Sequence, residues 1–537
     1  MNIISYCNGT WPNIGGVARY DTQLSLIFPE RKFFKGPQEK DKMLDYLKTC
    51  DKPIIITDNH LACDIPNEYP ILLVHHGCAL TTSERNPDWI PYWRDLCCNG
   101  QKQMLSYRDP KKTWIISISK ACTIDFTRFY PDLYPKFKRI DLIHPSELNE
   151  KIFKKSFNNK PIILGNWNHL KKGKHLFPKL SDLLPEFEFK QLKVMPEKGE
   201  TLESFNKRKQ EIYIKADIFL QIASSEGYSY ASNDSLINGL VTVATNVGGF
   251  FGDVDKDAYV ELEWQKCYGE NIDYEYICSK IRYAWENKEE LSRKGREWYM
   301  KNCRFVDWEK KMKDVINKFH NIMYTKVFCI GFNKTGTCTL HETFKNCGYN
   351  AIDHTGQLIH LNEDIQVFTD GEPPFKYIDA DKMYKDFFFI LQTRGLYNWI
   401  FSRIKHYYKI ELRDQNTSRL YLDWKNNNKI EVMKKWIIKR NNWHYEVINY
   451  FNSNKRNKFI ILNIEDDNLE ENLSKFIGHD IDIVKKNQRN INDFNKKLNN
   501  KQKSILNKYK SYINIAFNEL GINQKDYNST KYIDYLL

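Results

Sequence analysis

Residues 224–249 read "SSEGYSYASNDSLINGLVTVATNVGG". A polar turn enters a short helical stretch, Gly239 ends it, the β-branched run "LVTVAT" follows, and Val247-Gly248-Gly249 turns the chain again. A helix feeding straight into an apolar strand is the building unit of a parallel sheet covered by helices. Glu226 lies in the turn and Asp234 on the helix, eight residues on. Two carboxylates so placed can hydrogen-bond a sugar ring and a ribose that share one diphosphate.

Toward the N-terminus, "PIILGNW", "FEFKQLKV" and "ADIFLQIA" are further strands of the same unit, which begins near residue 150. Ahead of it a separate series, "NIISYC", "KPIIITDNH", "YPILLVHHG", "WIISISK" and "RIDLIH", alternates with helix-length segments and predicts a first doubly wound sheet. Its opening strand leads into "NGTWPNIGGVARYDTQL", where Gly15 and Gly16 precede a helix starting at Val17. Paired glycines let the backbone approach a diphosphate, and a helix N-terminus favours its charge. Taken alone, such a pair is equally an ordinary turn. His75 and His76 close the strand "YPILLVHHG", where a histidine is structural as readily as catalytic.

Gly15-Gly16-Val-Ala-Arg19-Tyr20, "IISISKA", "NWNHLKKGKHL", the Glu226-x7-Asp234 element with Gly239, and the Val-Gly-Gly turn together resemble the retaining, nucleotide-sugar-dependent glycosyltransferases of the GT-B fold. The resemblance covers roughly residues 1–323. It implies that Glu226 meets the donor sugar, Asp234 the ribose, Lys172 the diphosphate and Gly15–Gly16 the leaving-group phosphate, with His76 near the reacting centre. Two positions depart from the family pattern, which has Glu where Asp234 stands and Arg near Asn166. Losing that Arg removes a charge-assisted contact at the leaving group. Asp253-Val-Asp255 mimics a DxD metal element, but it follows "NVGGFFG" in a loop and reads as an acidic turn. No His/Cys cluster has metal-ligand spacing, so no metal is expected.

Beyond the charged helical stretch 287–323, the chain restarts at residues 327–344 with "VFCIGFNKTGTCTLHETF". An ATP-type Walker loop needs Lys directly after its last Gly and before Ser or Thr. Here Lys334 precedes Gly336, and Thr337 follows with no Lys behind it, which argues against a nucleotide kinase. The amides of Gly336, Thr337, Cys338 and Thr339 would still cradle one 5′-phosphate at the helix N-terminus. Lys334 would lie over the bond to whatever that phosphate carries, which suits a phosphosulfate. Arg394, ending the strand "FFFILQTR", and Ser402 in the helix after it supply a second anion place for a 3′-phosphate.

These paired elements, with "FTDGEPPFKYIDADKMYKDF" ahead and "FIILNIEDDNLEENLSKFIG" behind, resemble the sulfotransferases that use 3′-phosphoadenosine 5′-phosphosulfate (PAPS), nearer the carbohydrate and microbial types, over about residues 325–480. No "GxxGDW"-type third loop is present, so adenosine contacts stay unassigned. The acceptor hydroxyl needs a base. Glu342, eight residues after Lys334, stands where several carbohydrate-type members carry their catalytic Glu; His341 and Asp370 are rivals, and a first-turn Glu also simply complements the helix dipole.

The bulk numbers fit this division, because 537 residues exceed what one core serves. Apolar runs are strand-length, short of the roughly eighteen residues a membrane span needs. The N-terminus "MNIISYCNGTW" lacks a basic segment followed by a long apolar one, and the 13 Cys show no CxxC or framework spacing, so a reducing, cytoplasmic setting is expected. The net charge of +13 is Lys-dominated among 68 acidic residues and suits anionic ligands rather than nucleic acid as the main partner.

The expected fold class is α/β: two Rossmann-like units of GT-B type, 1–150 on the acceptor side and 151–323 on the nucleotide-sugar side, then a third P-loop-like sulfotransferase domain at 324–537. The expected function is bifunctional, a nucleotide-diphosphate-sugar glycosyltransferase fused to a PAPS sulfotransferase that acts on a hydroxyl of a carbohydrate acceptor. The alternative, motivated by Asn166, is a sulfotransferase whose glycosyltransferase-like part is inactive and serves as a carbohydrate-binding module.

Overall fold

Every described strand pairing in the molecule is parallel. Parallel ladders need crossover helices on both faces, so their central strands are apolar throughout rather than alternating. In the computed structural model of the chain, the described residues are 1–86, 88–154, 156–332, 335–352, 365–369, 377–383, 387–412, 424–454, 458–484 and 499–522. They form two compact units, Met1–Ile316 and Asn317–Leu537. The division falls inside the helix Phe305–Tyr324. No described helix is long and apolar enough to cross a membrane.

The first unit holds two sheets. Strands β1 (Asn2–Cys7), β2 (Lys32–Lys35), β3 (Pro53–Asp58), β4 (Ile71–His75), β5 (Thr113–Ser117) and β6 (Lys138–Asp141) make a six-stranded sheet in the order β2-β1-β3-β4-β5-β6. Strands β7 (Ile162–Gly165), β8 (Glu188–Gln191), β9 (Ile218–Gln221), β10 (Val241–Thr245) and β11 (Val260–Leu262) make a five-stranded one in the order β11-β10-β9-β7-β8. All residues of β3, β4, β9 and β10 are buried, as central strands require. The edge strands β2 and β11 escape the sequence reading for a matching reason. They are four and three residues long, and each carries a charged residue on a face left open at a sheet edge.

Loops from the carboxyl ends of the two sheets touch. The Ser119 hydroxyl donates to the Gly227 carbonyl at 2.6 Å, the Asn86 amide to Ser225 Oγ at 2.9 Å, and the Lys120 N–H to Asp253 Oδ2 at 3.0 Å. At the centre of this seam Gly77, with φ +141°, lies against Gly227 backbone to backbone, and a Cβ on Gly227 would overlap the His76 carbonyl. Only glycine fits there.

The second unit contains β12 (Val327–Cys329), β13 (Ala351–Ile352), β14 (Val367–Phe368), β15 (Phe388–Thr393) and β16 (Phe459–Asn463), ordered β13-β14-β12-β15-β16. Phe328 on the central strand stacks on Phe368 and Phe389 with centroids 4.9 and 5.3 Å apart. The helices Leu396–Leu412, Lys429–Ser453 and Asn500–Glu519 share an aromatic core of Trp399, Tyr407, Trp436 and Tyr509, joined by Trp424. The two-residue strands β13 and β14 are too short to show a period, and the sequence reading passes over them.

The Gly227 seam generates a stability prediction. Gly227→Ala forces the seam apart and should lower the stability of the N-terminal unit by about 1–3 kcal/mol, the scale of inserting a methyl group into packed structure. Denaturant titration of the full chain measures it; a midpoint equal to wild type would show that the seam is not closed as described.

Candidate functional site

The carboxyl ends of β1, β7, β8 and β9 deliver their loops to one cavity of about 690 Å³. After β1, Gly15 begins the helix Gly16–Ile27 with φ −62° and ψ 154°, no side-chain cap and no acidic residue in the first turn. Neighbouring helices differ, with Ser119 and Ser229 filling the same position with a hydroxyl that accepts from a first-turn amide. The amides after Gly15 are thus left uncapped by any side chain. After β7 come Asn166 and, in a turn at Leu170–Lys172, Lys172. After β9 comes Glu226, and the helix Tyr230–Ile237 brings Asp234. All six of these residues line the cavity, so the expected donor-site residues Gly15, Gly16, Lys172, Glu226 and Asp234 are brought together.

His76 is not among the lining residues. Its Nε2 lies 3.0 Å from Asp58 Oδ1, and its ring meets the edge of Tyr20. Burial raises the Asp58 carboxyl despite the His76 contact. His75 is fully buried, stacked on Phe126 at 4.0 Å, and burial pulls it down to about 3, so it is neutral and structural.

Two ion-pair systems dominate the cavity. Lys172 Nζ contacts Glu226 Oε1, both side chains being mostly buried. Burial, then the Lys171 cation, pulls the Lys172 ammonium below the usual lysine range, and the Glu226 carboxylate is its counter-charge. The second system was not legible in the sequence. Asp234 is buried and receives Arg19 Nη1 and Lys209 Nζ, each at 3.3 Å, and the Ser146 hydroxyl at 2.6 Å. Arg19 also pairs with Glu147 and lies over the Tyr230 ring at 4.1 Å. Burial raises the Asp234 carboxyl, but the Arg19 and Lys209 cations overcome it and hold it below the ordinary range. A buried carboxylate needs such partners to stay ionised.

A second cavity of about 710 Å³ is lined by Trp89, Ile90, His169, Leu170, His175 and Tyr268 among others, and shares His169 with the first. Its sequence signal is the aromatic run "DWIPYW", whose Ile90, Tyr92 and Trp93 are exposed. Asp253 of the DxD-like triplet accepts from the Lys120 N–H, and burial pushes its carboxyl up to about 7. Among the described residues, no group of three or more His, Cys, Asp or Glu could hold a metal ion.

In the second unit, Lys334 and Asp370 lie outside the described residues. Gly336, with φ +114°, begins the helix Thr337–Asn346 without a side-chain cap, and Thr337 and Thr339 are buried while Cys338 is exposed. Glu342 sits on this helix, partly buried, and the neighbouring His341 Nδ1 is 3.4 Å from Thr369 Oγ1. Arg394 follows β15. Its Nε donates to Glu465 Oε1 at 2.7 Å, and the same carboxylate accepts from the Gly395 N–H and the Asn398 amide. The terminal nitrogens of Arg394 make no hydrogen bond among the described residues. Ser402 lies two turns on in the helix Leu396–Leu412, partly buried. Between these helices Lys405 and Lys510 both lie over the Phe401 ring, at 4.3 and 5.5 Å. Burial, then Lys510 and Arg394, lowers Lys405, the mark of cations gathered in one place. Glu465 went unnoticed in the sequence, although it opens the acidic run "EDD" just past the end of β16.

No family model matches the chain, and no curated protein matches it. Solved structures do. Sucrose-phosphate synthase from Thermosynechococcus elongatus is 12% identical, the likeness covering 59% of this chain and 99% of that one with a TM-score of 0.46. WaaG, a glycosyltransferase involved in lipopolysaccharide biosynthesis, is 12% identical over 58% of this chain and 99% of its own, with a TM-score of 0.42. HepE from Anabaena, solved in complex with UDP, is 10% identical over 59% and 99%, with a TM-score of 0.40.

Gly15 separates a ligand's demand from a folding demand. Its dihedrals suit any residue, and an added Cβ meets nothing within 4 Å. Gly15→Ala should therefore leave stability within about 0.5 kcal/mol of wild type. If a diphosphate lies against this backbone, the methyl group should cost roughly 5- to 150-fold in Kd for a nucleoside diphosphate. Titration calorimetry beside thermal unfolding checks both halves, and unchanged affinity would remove Gly15 from the site.

Proposed function

We propose that the N-terminal unit transfers a sugar from a nucleoside-diphosphate donor, and that the C-terminal unit transfers a sulfuryl group from PAPS to a carbohydrate hydroxyl. The observation that supports the first part is the convergence of Gly15–Gly16, Lys172 and Glu226 in one cavity at the carboxyl ends of two parallel sheets. Uncapped helix amides and Lys172 are donors of the kind that stabilise charge developing on a leaving diphosphate. The Lys172–Glu226 pair gives each group a partner while no donor is bound. A diphosphate reaching Lys172 replaces one anionic partner by another, and Glu226 is released to accept hydrogen bonds from the sugar hydroxyls.

In the C-terminal unit the acceptor oxygen attacks sulfur, the bond from sulfur to the bridging oxygen breaks, and 3′-phosphoadenosine 5′-phosphate leaves with the electron pair. The acceptor proton passes to Glu342. Gly336 to Thr339 hold the 5′-phosphate, Lys334 offsets charge on the bridging oxygen, and Arg394 with Ser402 holds the 3′-phosphate. The terminal nitrogens of Arg394, unengaged among the described residues while its Nε is held, support that last role.

A second reading has a specific observation behind it. Both oxygens of Asp234 are engaged by Arg19, Lys209 and Ser146, so a ribose must compete for a carboxylate already paired. A carbohydrate-binding module without transfer activity fits that engagement. Incubation of the full chain with a panel of nucleotide sugars separates the two: turnover of at least one donor, abolished by Glu226→Ala with sulfuryl transfer intact, is the expected result. Glycan binding with no donor turned over would select the binding module.

Arg394→Ala tests the other half. A phosphate fork is made equally in ground and transition states, so its loss should appear in binding rather than in kcat. Affinity for 3′-phosphoadenosine 5′-phosphate should fall roughly 10- to 150-fold, the scale of a hydrogen bond to a charged group. Normal binding by the variant in titration calorimetry would overturn the sulfotransferase assignment.

A further inference from the structure

We propose that Lys193 supplies a diphosphate-neutralising cation to the cavity of the N-terminal unit, an inference that rests on the nucleotide-sugar reading of that unit. Strands β7 and β8 run in parallel with Gly165 opposite Gln191, and the Leu192 N–H donates to the Gly165 carbonyl at 2.8 Å. The ladder therefore reaches one residue past β8, and Asn166 follows Gly165 at the same carboxyl edge as Leu192 and Lys193. Asn166, Leu192 and Lys193 line the cavity together with Gly15, Gly16 and Lys172.

The other cations of that cavity are committed. Arg19 is held by Glu147 and Asp234, Lys209 by Asp234, and Lys172 by Glu226. Lys193 is exposed and makes no ion pair among the described residues, so its ammonium can meet an incoming phosphate without breaking an existing pair. Asn166 has a different task. Its Oδ1 accepts from the Asn168 amide, and Asn168 Oδ1 accepts from the Gln191 amide at 2.8 Å. This amide chain ties the loop after β7 to the end of β8, from which Lys193 follows two residues later. Lys193 brings the cation to this edge, and Asn166 helps to fix the edge that carries it.

A lysine reaching a diphosphate acts as a point charge on a flexible stem, not as a planar fork. Titration of the full chain with UDP, GDP and ADP, and with the matching nucleosides, tests the assignment. Lys193→Ala should weaken the best-bound nucleoside diphosphate by roughly 10-fold or more, leave the nucleoside unchanged, and flatten the salt dependence. Lys193→Arg should keep the affinity, and Asn166→Arg placed on Lys193→Ala should restore it. Wild-type affinity in Lys193→Ala, or an equal loss for nucleoside and diphosphate, overturns the role of Lys193 while the donor reading stands. Failure of the wild-type chain to bind any of the three diphosphates overturns both.

Discussion

Parallel pairing is the constraint from which the candidate sites follow. Because the described strands within each sheet run the same way, their carboxyl ends gather at one edge, and loops that leave that edge enter helices with their first amides turned back toward it. The N-terminal unit spends its chemistry there: Gly15 after β1, Asn166 and Lys172 after β7, Lys193 after β8 and Glu226 after β9. The C-terminal unit repeats the logic with Gly336 after β12, Arg394 after β15 and Glu465 after β16. No side chain needs to travel far, since the sheet has already done the converging.

Helix beginnings at that edge fall into two kinds. Those begun by Ser119 and Ser229 satisfy a first-turn amide with their own hydroxyl, and Ser119 spends its hydrogen on holding the seam at Gly227. The helix begun by Gly15 carries no capping side chain and no first-turn acid. An uncapped helix start forgoes about 1 kcal/mol of the stabilisation that a Ser or Asp would give. What it keeps is a set of N–H donors and a positive dipole end that only an anion uses fully.

Gly15 and Gly16 were legible in the sequence because a glycine pair before a helix has a local meaning. So was the Glu226-x7-Asp234 spacing, and with it the parallel α/β class, since strand-length apolar runs alternate with helices across the whole chain. The partners of Asp234 were not legible. Arg19 lies 215 residues from it and Ser146 lies 88, and only the folded cleft closes those distances. The same holds for His76, which the resemblance put near the reacting centre: it lies 3.0 Å from Asp58, eighteen residues upstream on the neighbouring strand, and does not line the cavity. The edge strands β2 and β11 were missed because short strands with a charged residue leave no continuous apolar run to see. In each case local pattern carried the backbone, and long-range charge pairing decided what the side chains do.

Glu465 shows how far that pairing reaches. An acidic side chain in contact with a proposed phosphate-binding arginine looks at first like a competitor. Its geometry points the other way. The carboxylate takes the Arg394 Nε, the Gly395 N–H and the Asn398 amide, so it anchors the inner edge of the guanidinium at a helix start and leaves the outer fork open. Lys405 and Lys510 are gathered around Phe401, and Lys405 feels the Arg394 cation, so Arg394 and the two lysines outnumber Glu465 by two. A phosphate dianion would match that surplus. An arginine already held in one orientation would lose less freedom on binding such a ligand, so that part of the ordering would be done during folding.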